Sequence, residues 1–173
     1  EVQANAKTAD IYEFIIDRMR AYLRDQSFAG KPFTSAEIDA VLSQSPAQIH
    51  DLVERLTALR EFNALPQAAQ LAAANKRISN ILKKTTTPIP AACASKLLQI
   101  PAEVALQNAL EKATPALVAA YENRQFVELL KALVTLSEPI DQFFADVMVM
   151  DPNPELRDNR LALLQQLHQK MNL

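Results

Sequence analysis

Residues 72–84 read Ala-Ala-Ala-Asn-Lys-Arg-Ile-Ser-Asn-Ile-Leu-Lys-Lys, a pattern of side chains suited to holding an anion. On a helix advancing about 100° per residue, Lys76, Arg77, Asn80, Lys83 and Lys84 fall within an arc of roughly 120°. Leu71, Ala74, Ile78, Ile81 and Leu82 take the opposite side. From Phe62 to Ala102 there is no Asp or Glu, while Lys76, Arg77, Lys83, Lys84 and Lys96 supply positive charge in a chain whose net charge is −2. The excess is therefore local. A basic helix face of this kind fits a nucleic-acid backbone, and it also fits a merely solvated surface. Lys76, Arg77, Lys83 and Lys84 are the phosphate candidates, because such a contact requires only that a cation project into solvent.

Other polar residues could add base recognition. Asn75 sits at the margin of the apolar arc, where an amide either bonds backbone groups or reads a base edge. Asn80 lies among the cations, and Arg157 is a further candidate for a base edge. Two arginines fall inside apolar stripes: Arg18 among Ile11, Phe14, Ile15 and Tyr22, and Arg160 among Leu156, Leu163, Leu164, Leu167 and Met171. A guanidinium is not buried alone, so each needs a carboxylate, carbonyls or a ligand. Asp146, or failing that Asp141, is the expected internal partner of Arg160, and direct RNA contact is the alternative. Tyr12, Phe28, Phe33 and Tyr121 are the aromatic residues best placed to meet a base.

The chain offers little for catalysis. His50 and His168 are its only histidines and Cys93 its only cysteine, which leaves no zinc set, no disulfide and no base beside the thiol. His50-Asp51 has the look of a paired metal ligand, but no further histidine precedes it. The serines at 43, 45, 79 and 137 sit where capping explains them. With a single glycine, Gly30, hairpins and phosphate loops that depend on glycine are nearly excluded.

The elements that must position these residues are helical. Ala, Leu, Gln, Glu, Lys and Arg dominate, all good helix formers, and 49% of the 173 residues are hydrophobic, enough for a real core. Helices are expected from Ala9 to Asp25 with Thr8 as N-cap, from the capping box Thr34/Glu37 to Ser43, from Ser45-Pro46, and from Pro66 to Lys84. Others begin near Pro101, Pro115, Gln125, Pro139 and Pro154, the last with Asn153 as cap. Thr85-Thr86-Thr87-Pro88-Ile89-Pro90 breaks the pattern and reads as an extended connector. The expectation is one all-α domain over 1–173, a bundle of about nine helices with possible halves 8–84 and 101–173 joined by the connector 85–100. No apolar run spans a membrane and no signal peptide is visible, so a cytoplasmic setting is expected. The beginning at Glu1 and the stop at Leu173 inside a helical pattern suggest a piece of a longer protein.

Three blocks carry a resemblance. Ala74-Asn75-Lys76-Arg77-Ile78-Ser79-Asn80-Ile81-Leu82 resembles a motif near the C-terminus of the bacterial glycyl-tRNA synthetase β subunit. Pro139-Ile140-Asp141-Gln142-Phe143-Phe144-Ala145-Asp146-Val147-Met148-Val149-Met150, followed by Leu156-Arg157-Asp158-Asn159-Arg160-Leu161-Ala162-Leu163-Leu164, is similar in the same way. Phe14-Ile15-Ile16-Asp17-Arg18-Met19-Arg20-Ala21-Tyr22-Leu23 looks like the start of the same region. The resemblance implies an all-α anticodon-binding domain of the DALR type, similar to that of arginyl-tRNA synthetase. It implies tRNA(Gly) as partner through its anticodon loop, and an α subunit with the rest of a β subunit in an α/β assembly. ATP and magnesium would serve the whole enzyme, with no cofactor and no active site in this segment. The alternative is an α-helical protein-interaction module whose basic face meets an acidic partner.

Overall fold

In the computed structural model, residues 2–28, 30–43 and 51–173 are described, and they form two compact units, Glu1–Glu61 and Phe62–Leu173. The division falls within the last turn of a helix. It does not fall in the Thr/Pro connector, which lies inside the second unit.

The first unit contains α1 (Val2–Arg24), the two-residue strands β1 (Ser27–Phe28) and β2 (Lys31–Pro32), α2 (Ser35–Leu42) and α3 (Leu52–Asn63). Its core joins Leu23, Phe33, Ile38, Val41, Leu42, Leu52 and Leu56, with Ile16, Met19 and Leu59 packed against it. α2 starts where the sequence predicts: Thr34 accepts the Glu37 amide at 3.2 Å, and Glu37 accepts the Thr34 amide at 2.7 Å. The helix predicted from Ser45-Pro46 begins outside the described residues, and α3 is seen from Leu52 onward. Thr8 lies within α1, which starts earlier than the predicted cap. The near-exclusion of a glycine-dependent hairpin is overturned. β1 and β2 pair antiparallel, Ser27 with Pro32 and Phe28 with Lys31, and Gly30 in the turn takes φ 76°. One glycine suffices, because a tight turn needs a left-handed residue only where the chain reverses.

The second unit contains α4 (Ala68–Lys84), a short 3-10 turn at Ser95–Leu97, α5 (Pro101–Glu122), α6 (Phe126–Val134), α7 (Ser137–Asp146) and α8 (Pro154–Met171). α5 packs against α6, α7 and α8, and α4 lies on α8 and α7. α8 is the central element. Residues Asn159 to Leu164 are all buried in succession, as is Leu167, which means that neighbours cover the middle of this helix on every side. The basic helix thus belongs to the second unit, whereas the predicted halves group it with the N-terminal helices.

Among the described residues there are eight α-helices, where about nine were expected. The difference is Pro115. It does not open a helix but lies inside α5, on an exposed position one turn after exposed Glu111. The proline costs the helix one amide donor at this exposed position, and the helix continues through it. Pro101 and Pro154 do occupy first-turn positions, and the Asn153 side chain accepts the Glu155 amide at 2.9 Å. No described helix is long and apolar enough to cross a membrane.

Candidate nucleic-acid interface

α4 forms because its apolar residues recur at helical spacing: Leu71, Ala74 and Ile78 are buried, and Ile81 and Leu82 are half-buried. That packing turns the other side outward. Lys76, Arg77, Asn80, Lys83 and Lys84 are all exposed, and among the described residues none of the three lysines enters an ion pair. Lys83 and Lys84 occupy the last turn, where the carbonyl end of the helix dipole favours cations. Ala73, Lys76, Arg77, Asn80, Ile81 and Lys84 line an open hollow of about 350 Å³. Arg77 differs from the lysines: its guanidinium carbon sits 4.0 Å from the ring centroid of Phe144 on α7. Phe144 in turn meets buried Phe143 edge-on, with centroids 5.6 Å apart.

The other sequence candidates are placed elsewhere. Asn75 is engaged with Asn172 in a reciprocal amide pair, donating at 3.1 Å and accepting at 3.3 Å, which ties α4 to the end of α8. Its partner is thus a side chain and not the core backbone. Arg157, half-buried on α8, donates to Asp158 at 3.0 Å. Arg18 belongs to the first unit and is exposed, 5.2 Å from the ring of Phe14. Its expected place in a buried stripe is corrected by the packing of α1. The inward side is Ile16, Met19 and Leu23, roughly 130° around the helix from Ile11, Phe14 and Tyr22, which are exposed by 60%, 60% and 53%. α1 is apolar on two sides, and the core took the other one.

Arg160 is buried, at 3% exposure, so it offers no surface to RNA, and the alternative of a direct RNA contact is corrected on that ground. Its partner is also corrected. Neither Asp146 nor Asp141 reaches it; both are exposed, and Asp146 accepts from Gln142 at 2.5 Å. Arg160 instead donates through Nε to Glu103 on α5, and through a terminal nitrogen to Asp151 at 2.6 Å and to the Met148 carbonyl at 2.9 Å. Burial works against its charge, but the hydrogen bonds to Glu103 and Asp151 hold its pKa above the ordinary guanidinium value. The Asp151 carboxyl is held below its usual range by the Asn153 amide first and by Arg160 second. Glu103 also caps α5, accepting the Gln99 and Ile100 amides at 2.7 and 2.9 Å. The sequence carried a signal for that cap in Pro101 followed two positions later by an acid, but none for the arginine 57 positions away.

Asn159, next to this cluster, clamps the connector: it accepts the Ala94 amide at 2.6 Å and donates to the Ala94 carbonyl at 3.2 Å. Cys93 beside it is half-buried, and burial pushes its thiol up, away from the reactive thiolate. Sequence reasoning missed Arg60. This residue of α3 meets Glu37 through two nitrogens at 2.9 and 2.8 Å, and donates to the Lys31 and Pro32 carbonyls at 2.8 Å each. Its guanidinium also lies 4.5 Å from the Phe33 ring. The Arg60 hydrogen bond is the main reason the Glu37 carboxyl falls to about 2.

One of the comparisons with known proteins falls within the second unit. The DALR anticodon binding domain family matches residues 71–173, from Leu71 in α4 through the end of α8, and the chain belongs to that family. Over nearly its whole length the chain is also similar to glycine–tRNA ligase β subunits. It is 45% identical over 167 residues to that of Dechloromonas aromatica, covering 96% of this chain and 23% of the relative. With that of Ralstonia nicotianae it is 48% identical over 164 residues, covering 95% and 23%, and with that of Methylobacillus flagellatus 46% over 162 residues, covering 94% and 22%. The chain thus spans less than a quarter of the length of these relatives.

Proposed function

We propose that this chain grips the anticodon loop of tRNA(Gly) as the anticodon-binding part of a glycine–tRNA ligase β subunit. The observation that carries the reading is the face of α4, where exposed cations without acidic partners lie on the element at which the family match begins. Lys76, Lys83 and Lys84 would meet phosphates, and Asn80, exposed among them, is the side chain best placed to read a base edge. Arg160, Asn75 and Arg157 would act from behind, fixing α8 and its contact with α4. An α subunit and the remainder of a β subunit would supply the chemistry, in the cytoplasm, with ATP and magnesium as reactants of the whole ligase. Among the described residues no three His, Cys, Asp or Glu side chains group to hold a metal ion.

The test is competitive binding of stem-loops that differ only in the two cytosines of the glycine anticodon. Phosphates carry no sequence information, so a charged face alone would bind both loops equally. A base-edge contact is worth about 1–3 kcal/mol in the DNA case, so the glycine loop should win by about fivefold or more. Equal affinity, in this chain and in the whole ligase, would overturn the reading and leave an interaction module with a basic face.

A further inference from the structure

We propose that Arg77 is a stacking platform for one unpaired base of the RNA loop, not a tether for a phosphate. The inference rests on the RNA reading above and assigns a specific role to one residue of that face. Among the described residues no aromatic ring lies beneath Lys76, Lys83 or Lys84, whereas the Arg77 guanidinium carbon lies 4.0 Å from the Phe144 ring centroid. That ring is itself fixed: Phe144 is half-buried on α7 and meets Phe143, a fully buried core residue, edge-on. The guanidinium is thereby held in one place, which removes much of the rotamer entropy that a long side chain loses on binding. One side of it faces the ring. The residue is nonetheless exposed, and it lines the hollow of about 350 Å³ beside Ala73, Ile81 and Asn80.

The hollow is open to solvent, and its lining combines the apolar side chains of Ala73 and Ile81 with the Asn80 amide and the cations of Lys76, Arg77 and Lys84. Unpaired RNA bases are bound in this manner, stacked on aromatic or guanidinium planes while their edges meet hydrogen-bonding groups. A phosphate tether has no use for the ring under Arg77, since any solvated cation would serve. The ring matters only if the flat face of the guanidinium is what the ligand meets. Asn80, one helical turn further on, then faces the edge of the stacked base, while Lys76 and Lys84 stand over its flanking phosphates.

The experiment measures binding of the full chain to a stem-loop RNA bearing the glycine anticodon, across a salt series, with four variants. Arg77→Lys keeps the charge and removes the plane. Phe144→Leu keeps an apolar contact on Phe143 and removes the ring beneath the guanidinium. Each should weaken binding about tenfold with the salt slope unchanged, as expected for the loss of one stacked base. Phe144→Tyr retains the ring and should bind like the parent, which separates stacking from general damage to α7. Arg77→Gln should behave like Arg77→Lys in affinity. Stem-loops with a single abasic site at each loop position in turn should reveal one nucleotide whose removal erases the difference between the parent and Arg77→Lys, because residues acting on the same contact are not additive. Arg77→Lys binding at parental strength, or Arg77→Gln lowering the salt slope while Phe144→Leu has no effect, would overturn the platform and leave the RNA reading standing. Failure of the parent chain to bind any of the stem-loops would overturn both.

Discussion

α4 and α8 lie against each other in the second unit, and each carries an arginine from the same kind of helical sequence, but the two are put to opposite uses. Arg160 is buried and paired with Glu103, Asp151 and the Met148 carbonyl, so its charge is answered inside the protein. Arg77 is backed by the Phe144 ring, and among the described residues the lysines around it enter no ion pair. The difference follows from what surrounds each helix. The middle of α8 is covered on all sides, so a polar group there must be satisfied from within, whereas α4 has one open side where the missing partner can be a ligand. A charge paired inside the fold supports the fold, and a charge left unpaired on a rigid helix is available for binding.

This contrast can be broken most forcefully at Arg160. Arg160→Ala leaves the fully buried Glu103 facing an empty site, and losing one partner of a buried pair typically costs about 3–5 kcal/mol. Urea or thermal unfolding should show a large drop, and Lys83→Ala should show almost none. Adding Glu103→Gln to Arg160→Met should recover part of the loss, since no buried charge is then left alone; no recovery would mean that the arginine acts by packing and not by charge.

Arg60 in the first unit extends the comparison through pH. Its hydrogen bond holds the Glu37 carboxyl at about 2, below the ordinary value of 4.5. A carboxyl depressed by folding adds stability that is fully present above pH 4.5 and is lost as the pH falls through 2. The contribution at neutral pH is on the order of 2 kcal/mol. Unfolding curves from pH 7 to pH 2 should fall more gently for Glu37→Gln than for the parent; parallel curves would remove the Glu37–Arg60 pair as the cause.

A smaller effect on stability and a larger one on binding are expected for Lys76, Lys83 and Lys84 changed together to Gln. Exposed charges contribute little to folding, so the melting temperature should stay close to the parent value. Binding to the glycine stem-loop should weaken, with a log-affinity slope against log salt shallower by about 2, three phosphates at about 0.7 each. An unchanged slope would take this face out of the interface. The smallest change belongs to Asn75→Ala, which breaks an exposed amide pair worth about 1 kcal/mol and should leave RNA affinity nearly intact. A tenfold loss of affinity there would show that Asn75 meets the RNA itself.

The sequence determined whatever depends on neighbours along the chain. The scarcity of glycine and the helix-forming composition set the all-α class, Thr34 with Glu37 and Asn153 with Pro154 marked helix starts, and the spacing of Lys76, Arg77, Asn80, Lys83 and Lys84 put them on one face. These are short-range facts, fixed by a rise and a turn per residue that every helix shares. Tertiary packing decided the rest. It chose Ile16, Met19 and Leu23 over a competing stripe on α1, carried α5 through Pro115, and gave Arg160 the distant Glu103 in place of the nearer Asp146. It also set Phe144 beneath Arg77 and Asn172 against Asn75. Periodicity tells which way a side chain points from its own helix, but the partner it meets depends on how whole helices pack, and that balance is struck over the entire core at once.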